Sequence, residues 1–138
     1  MRSKYFEIHE IVPANLFNLV HEDLLWRMID DRLVETIDTI KEKFPNGSMT
    51  INNYKWNGSR GWSGIRTTDS PWYSKGSQHT LGMAIDAVFS KYSTDEVRDY
   101  ILANPSEFPH IRRIEAGVSW LHFDMKETGK EEIVTFNP

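Results

Sequence analysis

The stretch GSQHTLGMAIDAVF, residues 76–89, decides how the rest of the chain is read. Its second half alternates as a strand does, with Ile85, Ala87 and Phe89 facing one way and Ala84, Asp86 and Val88 the other. An aspartate in such an apolar run costs roughly several kcal/mol on burial or takes up a proton, unless a cation or strong donors meet it. His79 stands seven residues ahead of Asp86, with Gly82 and Ala84 as the small residues between them. The segment therefore predicts a strand with one charged side chain on an otherwise apolar face, and asks which cation meets it.

Working outward, EDLLWRMIDDRLVETIDTIKEKF (22–44) places Leu25, Ile29, Leu33, Ile37, Ile40 and Phe44 at helical spacing. Asp30-Asp31 offers a break into two shorter helices, and Pro45-Asn46-Gly47 ends the segment. MTINNYKW (49–56) is β-branched and alternating, which predicts a short strand. Residues 57–75 are rich in Gly, Ser and Trp without any period, a long irregular stretch of the kind that compact domains keep mostly for function. Ser93 and Glu96 form a capping box that opens a helix to about Ala103, closed by Asn104-Pro105. RRIEAGVSWLHFDM (112–125) reads as two strands around Ala116-Gly117, the second carrying Trp120, His122 and Asp124 on one face. The order predicts an α+β fold, a small, mostly antiparallel sheet packed with helices, in one domain over residues 1–138.

Composition excludes several functions. The chain has no cysteine, so disulfides, thiolate metal sites and cysteine nucleophiles are absent, and any metal must be held by His, Asp or Glu. A net charge of -4 without a dense basic patch argues against nucleic acid as the main partner. No apolar run reaches the length of a membrane span. The start, MRSKYFEIHEIVP, lacks the apolar core of a secretory signal. The expectation is a protein that stays where it is made unless another machine carries it out, and it is read as a monomer.

His79, Asp86 and His122 supply an N, N, O donor set that suits a catalytic zinc, with a fourth position left for water. Spacing alone is more readily met by two unrelated histidines and an aspartate that caps a turn or pairs with an arginine. The motif S-x-H-x-x-G-x-A-x-D, present as Ser77, His79, Gly82, Ala84 and Asp86, resembles the zinc motif of the M15 family of peptidases. That family includes D-alanyl-D-alanine carboxypeptidases, dipeptidases and phage L-alanyl-D-glutamate endolysins, and is related in fold to the hedgehog signalling domain. Downstream, Trp120, His122 and Asp124 resemble its W-x-H-x-D segment; upstream, Ser63 to Arg66 (S-G-I-R) resembles its S-G-Y-R element.

The resemblance implies a hedgehog/D-alanyl-D-alanine-peptidase-like fold and one zinc per chain on His79, Asp86 and His122. It implies Arg66 as a clamp on a substrate carboxylate, where a guanidinium can bind in bidentate fashion. Ser77 and Gln78 either hydrogen-bond the peptide or shape the turn. Many members place an acid three residues before the last histidine ligand, but Ser119 stands there. The nearest acids are Glu115 and Asp124; Glu115 is assigned as general base, provided the Ala116-Gly117 turn folds it back. Asp124 is assigned as the carboxylate that orients the His122 ring. Trp56, Trp62, Trp72 and Tyr73 crowd the segment around Arg66; at least half are expected in the core, the others as a stacking wall. The function implied is zinc-dependent hydrolysis of the stem peptide of bacterial peptidoglycan, or of a muropeptide, by a phage- or prophage-borne enzyme. A non-catalytic zinc-binding structural module, such as a phage virion component, is the rival reading.

Overall fold

Two aspartates divide the first long helical segment. In the computed structural model, which describes residues 1–46 and 48–138, α2 (Glu22–Arg27) and α3 (Asp31–Lys43) are separated at Met28–Asp30. Asp30 caps α3 by accepting from the Arg32 N–H, which satisfies one of the donors a helix start leaves free. All six apolar residues at helical spacing are buried, from Leu25 to Phe44, and Val34 joins them. A shorter helix, α1 (Ala14–Leu19), precedes them, and α4 (Thr94–Ala103) starts where Ser93 Oγ accepts from the Glu96 N–H. Of the expected stop after α3, Gly47 lies outside the described residues.

The sheet has four strands, β1 (Ala84–Ala87), β2 (Arg113–Glu115), β3 (Leu121–Asp124) and β4 (Val134–Phe136), in the order β1-β3-β2-β4. β3 runs antiparallel to both β1 and β2, but β4 runs parallel to β2. The sheet is therefore mixed: two of its three pairings are antiparallel, as the expected mostly antiparallel sheet has it, and the outer pair is parallel. The chain leaves β3, crosses past β2 and comes back beside it in the same direction.

β3 is buried on both faces because it is paired on both sides and covered front and back. Leu121 and Phe123 point into the aliphatic core with Ile85, Ala87 and the inner face of α3. His122 and Asp124, one residue out of phase, point to the other face.

The strand expected at 49–56 is a single antiparallel bridge, Thr50 to Val88, followed by a 3-10 turn at Tyr54–Trp56. Asparagine side chains replace the ladder there. Asn52, fully buried, donates from Nδ2 to Val12 O and accepts from Ser63 N, while Asn53 Oδ1 accepts from Arg60 N. From residue 57 to 83 the chain forms only turns and bends, as its lack of period predicts. None of Trp56, Trp62, Trp72 and Tyr73 is buried, contrary to expectation, because the aliphatic core is already filled from α3 and the sheet. No helix among the described residues is long and apolar enough to cross a membrane.

Candidate metal centre

The sheet register brings the chemistry together. Asp86 of β1 lies opposite His122 of β3. β2 pairs with β3 as Arg113 to Asp124 and Ile114 to Phe123, so the next step puts Glu115 beside His122. Phe136 of β4 lies beside Glu115. Residues in one such row share a face of the sheet, so Asp86, His122, Glu115 and Phe136 all border one open cavity of about 740 Å³.

His79 enters from the irregular segment above this row and is 4% exposed. Its backbone N–H donates to Ser77 Oγ, and its Nδ1–H donates to Gly64 O at 2.8 Å. That bond orients the ring so that Nε2 faces Asp86, 3.4 Å from its Oδ1, and is the ring nitrogen turned towards the candidate metal position. Two glycines make this approach possible. A Cβ on Gly64 would stand 1.9 Å from Ile11 O, and one on Gly82, at φ +70°, would stand 2.3 Å from Met28 O.

Both ring nitrogens of His122 meet carboxylates, Nδ1 at 2.8 Å from Asp86 Oδ1 and Nε2 at 2.9 Å from Asp124 Oδ2. Asp124 is itself held by a bidentate Arg113, through Nε at 2.9 Å and Nη2 at 2.7 Å, and by the Lys126 N–H. Arg113 in turn lies over the Phe136 ring at 4.3 Å. On the other side, Arg66 Nη2 donates to Asp86 Oδ2 at 2.9 Å and its Nε donates to Trp62 O. Asp86 N and O are also engaged, with Ser63 O and with Arg60 Nη2.

The charges follow from these contacts. Burial alone would raise the Asp86 pKa, but the bonds from His122 and His79 and their charges outweigh it and hold the carboxyl far below the usual carboxylate range. Burial likewise works against His122 as a cation, yet Asp124 and Asp86 lift it to about 9. The Asp124 carboxyl is penalised by burial and drawn down to about 2 by His122 and Arg113. Burial lowers the Arg66 pKa, offset in part by Asp86 and Glu115. Without a metal, the buried aspartate is met by an imidazolium and a guanidinium.

The donor set fits a metal ion. One ligand atom each from His79, Asp86 and His122 lie within 4.8 Å of one another. Four bonds of about 2.0–2.1 Å in tetrahedral array separate ligand atoms by roughly 3.3–3.4 Å. The His79–Asp86 separation of 3.4 Å already matches, and the 2.8 Å His122–Asp86 contact needs to open only slightly. Asp124 would remain on His122 Nε2, the arrangement that fixes a ligand imidazole.

The structure brings the expected metal-ligating, substrate-binding and acidic residues to this place, though not all in one capacity; Trp56, Tyr73 and Ser119 do not border the cavity. Ser77 and Gln78 border the cavity, and Ser77 Oγ also shapes the turn that presents His79. Arg66 borders the cavity while bonding Asp86. Ser119 is exposed in the β2–β3 connection, and its carbonyl accepts from Thr94 Oγ1. Glu115 side-chain oxygens have no hydrogen bond or ion pair among the described residues, and the residue is half-buried. Its position is held from behind by Arg98 of α4, which donates to the carbonyls of Glu115, Val118 and Trp120.

Sequence reasoning missed Arg113, Arg98 and Arg60. Arg113 had a signal: it stands two residues before Glu115, hence on the same face of any strand that carries Glu115 to the cavity. Arg98 and Arg60 act on backbone carbonyls from distant segments, which no local pattern reveals. No family model, curated protein or solved structure matches the chain.

Proposed function

We propose that the protein is a zinc-dependent peptidase that cleaves the stem peptide of bacterial peptidoglycan, with a hedgehog/D-alanyl-D-alanine-peptidase-like fold and a phage or prophage origin. The observation that carries this reading is the Glu115 carboxylate, without a hydrogen bond or ion pair among the described residues, in the same cross-strand row as Asp86 and His122 and bordering the open cavity that His79 also lines. A structural metal site is closed by its ligands, whereas a catalytic one keeps an open position where a nearby acid can act on water.

Zinc held by His79, Asp86 and His122 would supply Lewis-acid polarisation of a peptide carbonyl and of water. Glu115 takes the proton of the attacking water and returns it to the leaving amine, as a general base that becomes a general acid. Arg66 keeps Asp86 bound through one oxygen by occupying the other, and offers the substrate carboxylate its remaining N–H groups. Asp124, locked by Arg113, keeps the His122 ring in one orientation. Ser77 and Gln78 line the wall along which the peptide backbone lies.

Metal analysis of the purified protein, with digestion of intact cell wall and of muropeptides read by mass spectrometry, tests the reading. One zinc per chain and zinc-dependent cleavage of a stem-peptide bond are expected. One zinc with no cleavage of either substrate would leave the structural module, the reading favoured by Ser119 standing where relatives carry an acid.

A further inference from the structure

The cavity differs in charge from the chain that builds it. The protein is acidic, with a net charge of -4, yet five arginine and lysine side chains border the cavity against the carboxylates of Asp86 and Glu115. Three of the five are engaged: Arg66 with Asp86, Arg113 with Asp124, and Arg60 with the carbonyls of Ile51 and Asp86. Lys75 and Lys126 are exposed, and neither ammonium has a hydrogen bond or ion pair among the described residues. They stand on different walls, Lys75 on the irregular segment and Lys126 just past the end of β3. Like charges converging on one cleft raise a positive potential that a bound anion relieves.

An independent observation points to a peptide. Gln78 borders the same cavity, and its buried Oε1 has no hydrogen-bond partner among the described residues. A buried amide oxygen left unpaired is costly and calls for a donor, which a peptide N–H provides. Trp72, 64% exposed on the same wall, adds a flat apolar surface. The cavity volume of about 740 Å³ suits a ligand of a few residues.

We propose that Lys75 and Lys126 form an anion-selecting subsite beside the metal centre, so that the preferred substrate is a peptide bearing free carboxylates away from the bond that is cut. The inference rests on the peptidase reading of this cavity and deepens it. At about 3.3–3.4 Å per residue, Lys126 lies up to roughly 13 Å along the chain from His122, so the carboxylate it meets belongs to a neighbouring residue of the substrate.

The test uses the zinc-loaded full chain and one muropeptide in two forms, with its stem carboxylates free or amidated. Binding is followed by tryptophan fluorescence and cleavage by mass spectrometry, at low and high salt. Each exposed ion pair is worth a factor of about 2–5, so amidation is expected to weaken binding to the native protein about tenfold. The preference should shrink in high salt and fall below about twofold in Lys75→Gln/Lys126→Gln, with zinc content and unfolding temperature unchanged. Equal binding of the two forms, binding of neither, or an undiminished preference in the double variant overturns the subsite. A lysine-dependent preference without cleavage keeps the subsite and removes the peptidase; cleavage without preference does the reverse.

Discussion

β3 has two faces that the same four residues serve in opposite ways. Behind it, Leu121 and Phe123 are closed into an aliphatic core that any apolar residues of suitable volume would fill. In front, His122 and Asp124 are just as buried but every polar atom is committed to a named partner. The back face holds the sheet together whatever the metal does. The front face holds charge that is stable only as a connected set, and so confers a task rather than strength.

The largest effect should break the back face. Phe123→Ala removes a fully buried ring and is expected to cost about 3–5 kcal/mol of unfolding free energy. Denaturant unfolding with and without zinc should give the same loss; a loss seen only with zinc would mean that the two faces are not separable. The front face should respond in function. Glu115→Gln is expected to keep zinc and fold while kcat drops on the order of 10²-fold or more. A fully active variant would remove Glu115 as the base.

A smaller effect separates ligand from support. Asp124→Asn should weaken zinc affinity by about 10- to 100-fold, with activity recovering in excess zinc. If the variant is zinc-replete but dead, the roles of Asp124 and Glu115 are exchanged. Arg66→Lys keeps the charge and loses the fork, so turnover should fall while zinc content survives. An unchanged rate on every muropeptide would confine Arg66 to its contact with Asp86.

Acidity should move the metal-free and loaded forms in opposite directions. The His122 pKa is raised from 6.5 to about 9, so its stabilising contribution is complete below 6.5 and is lost as pH rises through 9. Zinc needs the Nδ1 lone pair, so its apparent affinity should fall up to about tenfold for each unit of pH below 9. Calorimetry in buffers of different ionisation enthalpy reads the proton released on uptake. Affinity that does not vary between pH 6 and 8 would exclude His122 as a ligand.

Much of the front face was legible. His79 and Asp86 sit close in sequence within one motif, and His122 and Asp124 follow from strand alternation around a glycine turn. That Arg113 shares the strand face of Glu115 was legible, but its pairing with Asp124 was not, because a cross-strand pair exists only once register is known. β4 escaped because a three-residue strand leaves too short a period to read. Residues 49–56 misled for the opposite reason: their β-branched alternation is real, but Asn52 and Asn53 spend the backbone partners elsewhere. The exposed tryptophans misled because ring size speaks for burial only where the core has room.

The segment from 57 to 83, without helix or strand, is sewn to the body at separate points, among them Ser63 O to Asp86 N, Ile65 N to Ile11 O, Arg66 to Asp86 and Gly82 O to Asp30 N, and to itself by Arg66 N to His79 O and His79 Nδ1 to Gly64 O. A metal on His79 would add a stitch from this segment to two strands of the sheet. Removing it with a chelator should therefore loosen one flap rather than unfold the protein, and a protease should find the flap around Trp72 and Lys75 first.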